Sequence, residues 1–222
     1  MDQIFIFDFD STFIQTESME VLAEIVLANH PEKQKILDTI TRITEQTMAG
    51  RYSFHESLIE RLALLKINKT HLDAAINQLK AQITPSFLRH LNFFVEHCDQ
   101  IYIFSGGFIE LLWPILKDFH LKRENVYANS FIFDYEGNVL GFDKTNFMAH
   151  DQGKVKQLQT LKLPGDIIVI GDGYPSYEMK AAKLAHSFFA FTENIERKTV
   201  IDQADAILPD LDGLFIACNI RI

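Results

Sequence analysis

Apolar positions along the chain fall into two patterns. Four short uninterrupted runs, Ile4 to Phe7, Ile101 to Phe104, Ile167 to Ile170 and Ser187 to Phe191, are rich in β-branched or aromatic residues and end in polar residues or glycine. Continuous hydrophobicity of this kind marks strands buried on both faces. Helical spacing surrounds them, as at Leu111, Leu112, Ile115 and Leu116 after the second run and at Val155, Leu158 and Leu161 before the third. Strand alternating with helix predicts an α/β fold, a parallel sheet flanked by helices on both faces.

The stretch from 15 to 83 departs from that alternation. Val21, Leu22, Ile25 and Val26 form one apolar stripe, Leu58, Leu62 and Leu65 a second, and Leu72, Ile76 and Leu79 a third, with no convincing strand between them. Pro31 predicts a first helical turn and Gly50 a helix end. The expected organisation is therefore a core domain, 1–14 and 84–222, with a small helical cap domain, 15–83, inserted after the first strand and lying over the strand ends. Thr84 and Pro85 suit the N-cap and first position of the returning helix. The segment Val126 to Phe142, with Asp134-Tyr135-Glu136-Gly137-Asn138 inside it, reads as a hairpin added to the sheet.

Composition narrows the possibilities. At 222 residues and 47% hydrophobic side chains the chain can bury one core plus an appendage. A formal net charge of −9 leaves no basic face for a nucleic acid, so a phosphorylated ligand has to be small and locally held. Cys98 and Cys218 form no C-x-x-C, which argues against a disulfide framework or a zinc site. Neither a basic leader nor an apolar run of ~20 residues is visible. The expectation is a cytoplasmic protein with no membrane and no nucleic-acid partner.

Candidate chemistry sits at the ends of the predicted strands. Asp8-Phe9-Asp10-Ser11-Thr12 follows the first run, at the end of a parallel strand where open α/β sheets bind ligands. Two carboxylates at i and i+2 repel each other unless a cation lies between them or one is protonated, and a hard divalent ion such as Mg²⁺ resolves that conflict. Asp, Ser and Thr are equally ordinary turn residues, so this segment alone decides little. Ser105-Gly106-Gly107 follows the second run and is expected to open a helix, presenting backbone N–H groups to an anion. Gly171-Asp172-Gly173 follows the third run and adds a carboxylate. Lys154 starts a helix for which Asp151 is a credible cap, a place where the macrodipole gives a lysine no advantage. No G-x-G-x-x-G follows the first strand, and no Walker phosphate loop is present.

The order D-x-D-S-T, S-G-G, K, G-D-G resembles the haloacid dehalogenase superfamily and, within it, the phosphoserine phosphatase branch, over nearly the whole chain. The resemblance implies a Rossmann-like core with Asp8 as nucleophile and Asp10 as general acid and base. Ser105, Gly106 and Lys154 would hold the phosphoryl group, and Asp8, Asp172 and the backbone carbonyl of Asp10 would hold Mg²⁺. In the helical insertion, Glu17 matches the residue that receives the ammonium of O-phosphoserine and Arg61 the one that receives its carboxylate, with Met48 and Phe54 as apolar neighbours. The fourth motif departs from the family's pattern. Where relatives carry a further aspartate the chain has Ser176, after Tyr174 and Pro175, and Glu178 is expected to point elsewhere on its helix. Losing a carboxylate that holds metal-bound water typically weakens metal affinity or activity by roughly 10–100-fold. Two alternatives stay open: a phosphatase for another small phosphomonoester, and a non-catalytic binder of a phosphorylated metabolite. Trp113 is read as packing at the core edge, and the eight histidines carry no assigned role.

Overall fold

The computed structural model describes residues 3–220. The chain opens with β1 (Gln3–Phe7) and continues through four helices, α1 (Ser18–Val26), α2 (Lys33–Met48), α3 (Phe54–Ala63) and α4 (Lys69–Lys80). Two short helices, α5 (Pro85–Arg89) and α6 (Leu91–Glu96), lead to β2 (Ile101–Phe108) and α7 (Ile109–Leu116). Then come β3 (Val126–Asn129), β4 (Phe131–Phe133), β5 (Val139–Phe142), α8 (Gly153–Thr160), β6 (Asp166–Gly171), α9 (Tyr174–Ala181), β7 (Ser187–Phe191), α10 (Lys198–Ile201), β8 (Ala206–Leu208) and α11 (Leu211–Cys218).

Six strands form one sheet in the order β3-β2-β1-β6-β7-β8, every pair parallel. The four predicted strands are its centre, and the register Phe5↔Ile101 and Phe5↔Ile168 aligns the carboxyl ends of β1, β2 and β6. The expected hairpin is corrected in one respect. Asp134 does organise a turn, accepting the N–H groups of Glu136 and Asn138, but β4 and β5 pair only with each other, and β3 is what joins the main sheet.

Phenylalanines carry the interface between sheet and helices. Phe7, Phe13, Phe87, Phe94 and Phe119 are fully or almost fully buried, with ring centroids 4.7 Å apart for Phe13 and Phe119 and 4.9 Å for Phe13 and Phe87. Edge-on aromatic pairs of this kind contribute roughly 0.5–1.5 kcal/mol beyond area burial. Phe9 stacks on Phe13, so both ends of the Asp10-Ser11-Thr12 loop are pinned in the core. Ser11 takes φ +53°, the left-handed region, which turns the chain sharply after Asp10.

Helices α1 and α4 join the same core through Leu22, Ala23, Leu72 and Leu79. Gly50 follows α2 at φ +71°, as a helix-terminating glycine should. Three local expectations are corrected. Pro31 lies before the Glu32 N-cap of α2 and so outside its first turn. Thr84 occupies the N-cap position of α5 but does not cap it; its hydroxyl donates to the Thr12 carbonyl, tying that loop down. The third concerns Asp151, described below. Trp113 is half-buried against the core, with Arg123 over its ring. No helix among the described residues is long and apolar enough to cross a membrane.

Candidate active site

The carboxyl ends of β1, β2 and β6 face the helices α1 to α3 across a nearly closed pocket. Its cavity volume is about 30 Å³, room for roughly two waters. Asp8, Asp10, Asp172 and Lys154 line it from the sheet side; Glu17, Met48, Phe54 and Arg61 line it from the helices. Eight of the ten singled-out residues thus share one cavity with Gly106, while Ser105 does not line it.

Asp8 continues β1 and is buried. Its Oδ1 accepts its neighbour's N–H, from Phe9 at 2.8 Å, and its Oδ2 accepts from Lys154 Nζ at 2.5 Å and from Ser176 Oγ at 2.8 Å. Lys154 also donates to Ser176 at 3.0 Å. Ser176 is fully buried and stands against Gly171, where any Cβ would meet its Oγ at 2.7 Å. The residue that breaks the family's fourth motif is therefore hydrogen-bonded to both Asp8 and Lys154.

Asp10 turns its side chain toward α1, accepting the Ser18 N–H at 2.7 Å. Burial pushes its carboxyl up to about 6; the Ser18 hydrogen bonds oppose this and the Asp8 charge adds to it. A carboxyl raised in the folded state binds a proton that the unfolded chain has lost, so its contribution to stability is present at low pH and declines between about pH 4 and 6. Over that window Asp10→Asn is expected to gain thermal stability relative to the wild type, measured in chelator. The difference is at most roughly 3 kcal/mol, reduced by the partial exposure of Asp10. A constant difference from pH 4 to 7 would refute the raised carboxyl.

Glu17 is raised well above its ordinary value by burial and by the charges of Asp10 and Asp172; the Ser11 hydroxyl, donating at 2.8 Å, pulls it back. Arg61 is buried at the far end of α3. It donates only to the Ser57 carbonyl and the Thr44 hydroxyl, and no carboxylate of the described residues forms an ion pair with it. Burial lowers its pKa, with Glu17 and Asp10 opposing.

Two loop geometries differ from expectation. Ser105-Gly106-Gly107 lies within β2, at a register irregularity between Phe104 and Phe108, and does not open a helix; α7 begins only at Ile109. Ser105 Oγ accepts the Gly107 N–H at 2.9 Å, and the Gly106 backbone lies so close to the Phe54 ring that a Cβ would stand 2.5 Å from it. Asp151 does not cap α8, whose N-cap is Gln152.

Arg197 has no counterpart in the sequence reading. Its Nε donates to Asp172 at 3.0 Å, its Nη1 to Glu45 at 2.6 Å, and its Nη2 lies 3.7 Å from Glu17. Burial opposes this charge, but Asp172 and Glu45 outweigh it and hold the guanidinium above its ordinary value. The sequence carries one signal for it: the loop after β7 leaves the same carboxyl end of the sheet as Asp8 and Asp172.

Among the described residues Asp8 and Asp172 are the most buried carboxylates a cation could meet, and each is already paired with a cation of the chain, Lys154 on Asp8 and Arg197 on Asp172. Burial, then the charge of Asp8, raise the Asp172 carboxyl, a repulsion that a hard cation would relieve. Among the described residues no group of three His, Cys, Asp or Glu side chains is disposed to hold a metal, so a third ligand would have to be backbone oxygen or water.

Comparison with known proteins gives this geometry its context. Residues 3–186 match the haloacid dehalogenase-like hydrolases. Human phosphoserine phosphatase is 30% identical over 207 residues, which span 92% of this chain and 88% of the relative. The chain belongs to the haloacid dehalogenase-like hydrolases, on their phosphoserine phosphatase branch. Its reaction class is phosphomonoester hydrolysis. A phosphoserine phosphohydrolase-like protein from Francisella tularensis superposes with a TM-score of 0.87 at 30% identity, covering 99% of this chain and all of that one. A phosphoserine phosphatase solved as a phospho-aspartyl intermediate analogue has the same fold, with a TM-score of 0.75 at 21% identity over 96% of this chain and 97% of that one. In this haloacid dehalogenase-like hydrolase, as the sequence led us to expect, the sheet is parallel and helix-flanked.

Proposed function

We propose that the chain is a Mg²⁺-dependent phosphoserine phosphatase of the cytoplasm, cleaving O-phosphoserine to serine and phosphate through an aspartyl phosphate on Asp8. Residues 15–83 act in this reading as a cap over a core of 1–14 and 84–222. One observation carries it: an unpaired buried guanidinium, Arg61, and a carboxyl, Glu17, share a cavity with the Asp8–Lys154 pair. A free amino acid has one group of each sign to offer them. The two relatives at 30% identity, both named for phosphoserine, support the same substrate.

Asp8 attacks phosphorus and the bond to the serine oxygen breaks, while Asp10, neutral below about pH 6, protonates the departing oxygen. In the second step water attacks phosphorus, Asp10 takes its proton, and the bond to Asp8 breaks. Lys154 neutralises charge on the phosphoryl oxygens and the Gly106 backbone N–H donates to them, with Ser105 holding that loop in shape by accepting the Gly107 N–H. Asp8, Asp172 and the Asp10 carbonyl would hold Mg²⁺, which supplies charge neutralisation at the transferring group. Met48 and Phe54 exclude water around it.

A phosphate-release screen of phosphoserine, phosphothreonine, sugar phosphates and p-nitrophenyl phosphate, with and without magnesium, tests the assignment. Arg61→Lys keeps the charge but loses the planar fork, and is expected to raise KM for O-phosphoserine by about tenfold or more. A KM unchanged in that variant would remove the carboxylate assignment.

A further inference from the structure

The cavity is too small for an amino acid phosphate, so substrate entry requires groups that line it to move apart. Helices α1 and α4 are fixed to the core by apolar packing. The N-terminus of α3 packs Phe54 against the Gly106 backbone and is held besides by polar contacts, which converge on one side chain. Asp151 lies on the loop three residues before Lys154 and is exposed. Its Oδ1 accepts the backbone N–H of Phe54 at 2.6 Å and of His55 at 3.3 Å, and the Ser53 hydroxyl lies 2.9 and 3.0 Å from its two oxygens. Ser53 meanwhile caps α3 from within, accepting from Glu56 N.

We infer that Asp151 is a positioning residue for hydrolysis, a carboxylate on the core that seats the first turn of α3 and so holds Phe54, Leu58 and Arg61 over Asp8 and Lys154. A carboxylate suits this place because the first N–H groups of a helix have no partner within it and the helix dipole favours a negative charge there. Partial burial works against the ionised form, but the hydrogen bonds from Ser53, His55 and Phe54 hold the carboxyl below its usual range. The neighbouring contacts act in the same direction: His55 Nδ1 meets the Ala149 carbonyl at 2.7 Å, and its ring stacks on His150 with centroids 4.8 Å apart. The consequence is a direct mechanical link between the loop that leads to Lys154 and the helix that carries Arg61.

The inference rests on α3 meeting the substrate, and its test separates the two. In Asp151→Ala, amide exchange at Phe54 and His55 is expected to quicken about tenfold. KM for O-phosphoserine rises by about the same factor, while KM for p-nitrophenyl phosphate, which has no amino acid group for Arg61 to hold, rises by less. Asp151→Asn, which keeps an acceptor oxygen without the charge, falls between the two. Unchanged exchange overturns the seating of α3, and faster exchange with an unchanged KM reduces Asp151 to a helix cap and overturns its positioning role. Failure of the wild type to turn over phosphoserine would sink the substrate reading alone, since the exchange measurement still decides the seating.

Discussion

Asp8→Asn is expected to abolish phosphate release, lowering kcat by on the order of 10⁴-fold or more. An amide oxygen is a far weaker nucleophile than a carboxylate, and no other carboxylate is placed to replace it. Asp10 is turned toward Ser18, and Asp172 is engaged by Arg197 and Thr12. Binding should respond in the opposite direction. Asp8 contributes a negative charge to a cavity that must accept a phosphate dianion, so the variant retains or gains affinity for O-phosphoserine while losing turnover. Single-turnover assays with equilibrium binding separate these effects. Ordinary activity in the variant would refute Asp8 as the nucleophile, and loss of binding together with turnover would point to a collapsed site.

How much of this was legible in the sequence follows from which interactions are local. Strands β1, β2, β6 and β7 announce themselves because they are buried on both faces and so are continuously apolar. The edge strands β3 and β8 are four and three residues long, too short for periodicity to separate from a loop. Asp8, Asp10 and Asp172 were readable because a strand end fixes where the next residue goes. Asp151 was not: its position before α8 satisfies the local rule for a cap, but its partners are 96 to 98 residues away, and only the packing of two elements decides between them. Arg197 is hidden for a related reason. In Glu196-Arg197-Lys198 it reads as one of a run of solvated charges, and its burial comes from Asp172 and Glu45 converging on it. Ser176 supplies no charge, as its sequence position implies, but only the packed structure shows its hydroxyl between Asp8 and Lys154 as both donor and acceptor.

That arrangement sets the expectation for Lys154→Met. Lys154 and Asp8 are both buried, and removing one partner of a buried pair costs roughly 3–5 kcal/mol because the other charge is left behind. In a chain of this length that corresponds to a fall in Tm on the order of 10 °C. Here the stranded charge is Asp8, already beside Asp172, and Ser176 offers it only a neutral hydroxyl. Catalysis should lose about 10²–10³ in kcat, the usual effect of deleting one preorganised donor to a developing anion. The two losses are separable through the double variant Asp8→Asn, Lys154→Met. Removing both partners leaves no buried charge uncompensated, so its Tm should recover toward the wild type while activity stays absent. Thermal melts of the two single variants and the double variant in chelator measure the coupling. If Lys154→Met melts with the wild type and keeps kcat within about threefold, the ion pair is not the electrostatic centre of the site. If the double variant is less stable than Lys154→Met, Lys154 stabilises the fold through its packing and not through Asp8.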